Sequence, residues 1–146
     1  MFIATTTAGG ELAGCLVGFA TQASIDPARF LVCISDKNRT HRVLESGAGA
    51  IAVHVVPAHA GELVELFGGE TGDDADKFER CAWSAGPDGL PVLDGCGSWF
   101  AGRILERAPL GDHVGYLLEP FDGRADYDGP AFPFSRAKDV DPGHEA

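Results

Sequence analysis

Apolar stretches in this chain are short, and each is cut off by Gly, Pro or Asp, which leaves few architectures open to it. Runs rich in Val, Ile, Phe, Thr and Cys near residues 2–7, 13–20, 30–35, 50–56, 97–107 and 113–121 have strand length, with turn formers between them. The 20 glycines fit short strands that turn sharply. In TTTAGGELAG, Gly9-Gly10 falls at the tip of a hairpin, where a tight turn requires positive φ. Two segments read as helix. NRTHRVLESG has Asn38 as N-cap, Val43 and Leu44 on one face and Gly47 as a stop. AHAGELVELFGG carries Leu63, Leu66 and Phe67 at helical spacing and ends in Gly68-Gly69. These pieces do not alternate regularly with the strands, which disfavours a doubly wound sheet. The expected fold is mainly β: an antiparallel split β-barrel of Greek-key type with two or three short helices.

At 146 residues the chain can bury one full hydrophobic core without disulfide staples. Residues 1–122 are expected to form that domain. From residue 122 the pattern decays into DGRADYDGPAFPFSRAKDVDPGHEA. Residues 123–146 therefore read as a loosely held tail, with Tyr127, Phe132 and Phe134 packing on the barrel or on a partner subunit. Roughly the last ten residues are expected to be disordered. No apolar run approaches the roughly 20 residues of a membrane span. Met1-Phe2-Ile3-Ala4-Thr5 lacks a basic leader region and reads as the first strand, so a cytoplasmic protein without a membrane partner is expected. Cys15, Cys33, Cys81 and Cys96 form no C-x-x-C pair and are expected to be reduced core residues. Eleven basic residues against 22 acidic give a formal charge of −11, which repels phosphate backbones and argues against nucleic acid. Residues 70–76 concentrate four of the carboxylates and read as a solvated run.

Few patterns carry chemistry. His54 and His59 are separated by Pro57, and no Cys or carboxylate spacing completes a tetrahedral set, so no metal is expected. There is no G-x-S-x-G nucleophile elbow and no G-x-G-x-x-G after a strand. His54 shares a strand face with Ala52 and Val56, where a hydrogen-bonded core histidine is the leading reading and a ligand-side histidine the alternative. The remaining constellation pairs two polar segments, TQASIDP at 21–27 and DKNRTHR at 36–42. A strand between them holds them about 20 Å apart, so a ligand touching both is elongated unless the first segment folds back. The second segment opens a helix whose free N–H groups and dipole favour an anion, with Lys37, Arg39 and Arg42 adding charge and Thr40 a hydroxyl. This pattern points to an elongated, planar, phosphate-bearing cofactor. The alternative is that Asn38 merely caps the helix and the basic residues are merely solvated.

The order of these segments resembles the flavin reductase-like, FMN-binding split-barrel family over roughly residues 3–122. The matching pieces are AGCLVGFATQASIDPARFLVCISDKNRTHRVLESG, AIAVHVV, the helix ending in LF, DKF at 76–78, GLPVL at 89–93 and GDH at 111–113. The resemblance implies that Thr21, Gln22, Ala23 and Ser24 meet the flavin ring, with Pro27 holding their loop. It implies that Asp36, Lys37, Asn38, Arg39 and Thr40 meet the phosphate and ribityl end. His113 would be the catalytic residue beside the ring where nicotinamide docks; a plain turn into the next strand is the competing reading. The implied activity is hydride transfer from NAD(P)H to FMN, with FAD as the alternative flavin, in a homodimer that can serve an oxygenase partner as the reductase component of a two-component monooxygenase. A flavin-binding electron carrier without NAD(P)H activity and a cofactor-free binding module are the alternatives. Three departures stand out. The chain is expected to lack a segment that many members place before the first strand, Ala101-Gly102 stand where a Glu-Cys pair is frequent, and the acidic loop Gly68–Asp74 is expected to disfavour NADPH.

Overall fold

A computed structural model describes residues 1–143. The chain runs β1 (Phe2–Ala8), β2 (Glu11–Val17), β3 (Ala20–Ser24), β4 (Arg29–Ser35), α1 (Arg39–Glu45), β5 (Ala50–Val55), α2 (Gly61–Gly69), β6 (Trp83–Ala85), β7 (Pro91–Leu93), β8 (Ser98–Pro109), β9 (His113–Ala125) and α3 (Phe134–Ala137). Seven strands form one sheet in the order β2-β1-β5-β8-β9-β4-β3, and β6 and β7 form a separate hairpin. All the pairings are antiparallel.

The sheet order forces a curl. β2 and β3 lie at opposite ends of the sheet, yet only Gly18 and Phe19 separate them in sequence. Two linking residues reach no more than roughly 11 Å, so the sheet must bend until its edges approach. The Cys33 amide donates to the Phe19 carbonyl at 2.9 Å, tying β4 to the link. β2 and β3 do not pair with each other, which leaves a seam; the architecture is compatible with a split barrel.

Local signals account for much of this. Gly9 and Gly10 have φ of 58° and 84° at the tip of the β1–β2 hairpin, as a two-residue turn demands. The Asn38 side chain accepts from the Thr40 amide at 2.9 Å and opens α1, and Gly47 follows its end at φ 122°. Two expectations are corrected. The stretch 13–20 is not one strand, because β2 ends at Val17 and the chain breaks at Gly18. Residues 21–24 are not a loop: they form edge strand β3, bulged between Gln22 and Ser24, before a turn containing a cis Asp26–Pro27 bond. An edge strand exposes one side to water, so a polar TQ pair satisfies a strand as well as a loop.

β1 and β5 are buried on both faces, which is why AIAVHVV is apolar without alternation. Inside the curl, Ala4, Val17, Val32, Ile51, Tyr116 and Leu118 pack with Leu44 of α1. Outside it, Ile3 and Val56 pack against Val64 and Phe67 of α2 together with Phe78, Leu93 and Phe132. His54 sits on this outer face, fully buried. Its Nδ1–H donates to the Ile3 carbonyl at 3.0 Å, and its Nε2 accepts the Leu93 amide at 3.1 Å. The histidine therefore fastens β7 to the sheet, as its core reading anticipated.

Residues past 122, expected as a loosely held tail, begin by continuing β9 to Ala125. Ala131 bridges Pro57, the Met1 amino group donates to the Phe132 carbonyl at 2.7 Å, and the Phe132 amide donates to Val56 at 2.8 Å. Phe132 is buried in the outer core. The expectation of disorder over the last ten residues falls partly on residues 144–146, outside the described residues.

Candidate functional site

Two cavities meet at Asn38, on the side of the molecule where the seam opens. The first, of about 400 Å³, lies between the β1–β2 hairpin, the start of α1 and residues 72–78. The second, of about 250 Å³, lies along the seam, with Cys15 to Phe19 on one side, Cys33, Ile34, Ser35 and His113 on another, and Phe67, Phe134 and Val140 opposite. Burial pushes the Cys15 and Cys33 thiols up, so both stay protonated and act as wall atoms rather than nucleophiles.

α1 is held firmly, and with it the junction of the two cavities. Arg107 donates to the Leu44 carbonyl at 2.8 Å and the Ala48 carbonyl at 2.7 Å, a cation at the helix C-terminus. The Tyr116 hydroxyl donates to Glu45 at 3.1 Å and lies 2.7 Å from His41 Nδ1.

β2 offers its free edge to both cavities. Arg39 Nη1 donates to the Leu12 carbonyl at 2.9 Å, and Lys77 Nζ donates to Gly14 at 3.2 Å. Those contacts mark which backbone groups of β2 turn away from β1. By strand alternation the next outward pair belongs to Leu16, in the wall of the second cavity. Lys77 also donates to the Phe67 carbonyl at 3.2 Å, and burial lowers its pKa. It ties β2 to α2 and positions the wall.

His113 lies opposite Ser35 in the β4–β9 register. Its Nδ1 is 2.7 Å from Asp112 Oδ1, which holds the Asp112 carboxyl below its usual range, and its ring meets Phe19 edge-on at 5.1 Å. With Nδ1 turned to the carboxylate, Nε2 is the nitrogen available to a ligand.

Among the residues expected at the site, Asn38, Arg39, Thr40 and His113 line these cavities. Thr21, Gln22, Ala23, Ser24 and Pro27 line neither; all but the half-buried Ser24 are exposed on β3 and its turn. Asp36 and Lys37 are exposed between β4 and α1, the Asp36 amide donating to the Asp112 carbonyl at 3.0 Å. Ala101 and Gly102 are buried in β8 and line neither cavity. The second cavity also takes in Cys15 to Phe19, a few residues upstream of the segment singled out in the sequence. The available signal was Gly18, a strand break between two apolar runs.

A slot walled mainly by apolar and thiol groups, with Ser35, Glu70 and His113 among its lining and opening into a polar compartment, suits an elongated amphipathic ligand with a flat apolar end and a polar one. The donor set is mixed and lacks a metal-binding group: among the described residues no cluster of His, Cys, Asp or Glu could hold an ion. A flavin fits this arrangement.

The curled antiparallel sheet and its seam are those of a mainly β domain compatible with a split barrel. The chain belongs to the flavin reductase like domain family, whose model it matches over residues 1–136. It is 31% identical over 111 residues to an FMN reductase (NADH) RutF of Stutzerimonas stutzeri, covering 76% of this chain and 63% of that one. It is 31% identical over 94 residues to a 4-hydroxyphenylacetate 3-monooxygenase reductase component of Klebsiella oxytoca, covering 64% and 55%. The solved structure of an FMN-binding protein from Thermus thermophilus with bound 1-cyclohex-2-enone superposes with a TM-score of 0.77 at 25% identity, covering 84% of this chain and 67% of that one. The chain thus spans between about a half and two thirds of the length of these curated relatives. Among the described residues no helix is long and apolar enough to cross a membrane.

Proposed function

We propose that this chain is an NAD(P)H-dependent flavin reductase. The observation that carries the reading is the pair of cavities joined at Asn38, one walled for a flat ring and one for a polar chain. In this reading the ring lies along the seam against Cys15 to Gly18, with the outward Leu16 backbone groups reading its polar edge. The ribityl end reaches Asn38, Arg39 and Thr40. FMN is the expected flavin, with FAD as the alternative. When bound, the flavin supplies hydride acceptance from nicotinamide, and the protein supplies position and exclusion of water. His113, oriented by Asp112, steers the nicotinamide, while Phe134 and Val140 shield the slot. NADH is the expected reductant, as the name of the Stutzerimonas stutzeri relative has it. The reading includes a homodimer, for which the exposed Phe19 and Leu110 offer apolar surface. It also includes an oxygenase partner, supported by the name of the Klebsiella oxytoca relative.

The test is a fluorescence titration with FMN followed by NADH oxidation with and without flavin. Quenching on binding and flavin-dependent oxidation are expected. Absence of binding sinks the proposal, and binding without oxidation assigns the chain to electron carriage instead.

A further inference from the structure

The arginines at the polar end of the site are already neutralised by the protein itself. Asp73 pairs with Arg42 and lies 3.9 Å from Arg39 Nε, while Arg39 Nη2 also reaches Glu11 at 3.2 Å. Asp73 is held there by its turn. Its amide donates to Thr71 Oγ1 at 3.3 Å, and the Asp74 and Ala75 amides donate to the Thr71 carbonyl at 3.1 and 3.2 Å. Gly72 lets the turn lie against Arg39: a Cβ there would sit 3.1 Å from Arg39 Cδ. The charged residues lining the first cavity are Arg39 and Lys77 against Asp73, Asp74 and Asp76. Lys77 is committed to the Gly14 and Phe67 carbonyls.

We infer that Asp73 is a specificity-determining residue that makes the site nearly indifferent to a flavin's phosphate. The inference rests on the flavin reading above and deepens it. A phosphate dianion entering the first cavity must either displace Asp73 from both arginines or settle beside three carboxylates. Either course cancels the attraction that Arg39 and Arg42 would otherwise supply. The ring slot carries no such conflict, so affinity is set by the ring. The terminal phosphate of FMN therefore adds little affinity over riboflavin.

The experiment measures dissociation constants for riboflavin and FMN by fluorescence quenching with the intact wild-type chain, Asp73→Asn, Asp73→Ala and Glu62→Gln. Glu62 is exposed on α2 and lines neither cavity, so that variant changes net charge alone. Wild type is expected to bind the two flavins within roughly twofold of each other, and both Asp73 variants to tighten FMN about fivefold while leaving riboflavin unchanged. Glu62→Gln should move neither. Three results would overturn the inference: a wild type that already prefers FMN about tenfold, Asp73 variants with an unchanged ratio, or Glu62→Gln reproducing the shift. Wild type binding neither flavin refutes the flavin reading itself and this inference with it. The Asp73 side chain is 52% exposed, so both variants are expected to fold, with circular dichroism as the check.

Discussion

Burial holds the His54 imidazole neutral, bringing its pKa from 6.5 down to about 4. The unfolded chain protonates this ring at its ordinary value. Between those two pKa values the unfolded state therefore binds more protons, and lowering the pH favours unfolding. The contribution is fully present above pH 6.5 and is lost as pH falls toward 4, a decline of about 3 kcal/mol. Urea denaturation across that window should show it, and His54→Gln should flatten the slope while lowering stability at neutral pH. A slope unchanged in the variant would assign it to other groups. Periodicity placed His54 on a strand face, and its apolar neighbours made the core reading the leading one. The partners that prove it, Ile3 and Leu93, are 51 and 39 residues away and carry no local mark in the sequence.

The elements differ in how openly the sequence declares them. Asn38 was legible because a cap acts within three residues, and Asn38→Ala is expected to cost about 1 kcal/mol in thermal or chemical denaturation. β3 was misread because hydroxyl and amide side chains suit the wet side of an edge strand and a loop equally. In the proposed reading the ligand then meets β4 and β2 rather than β3. Cys33 of β4 lines the second cavity, and Cys33→Phe fills it. That substitution should weaken riboflavin and FMN about tenfold, whereas Gln22→Ala and Ser24→Ala should leave both within about twofold. Equal losses from Ser24→Ala would return the ring to β3. The hairpin of β6 and β7 escaped notice because three-residue strands are too short to show a period.

Across the whole molecule, the last described segment closes the outer core. Phe132 is 4% exposed, and its backbone links the Met1 amino group to Val56. Phe132→Ala is expected to cost about 3–4 kcal/mol, because removing a buried aromatic leaves a cavity in the outer core among Ile3, Val56 and Val64. Phe134, 57% exposed, should cost under about 1 kcal/mol when changed to Ala. Matched denaturation midpoints for the two variants would contradict the strapped arrangement. The sequence by itself determined the strand-rich class, the hairpin tip at Gly9-Gly10, both longer helices and the polar start of α1, since each depends on neighbours within a few residues. Only the tertiary structure decided where the two cavities lie and how they are charged. The seam exists because a two-residue link joins opposite edges of one curled sheet, and Asp73 meets Arg42 across 31 residues of chain. Contacts of that kind are settled by packing and long-range charge, which leave no periodic trace along the chain.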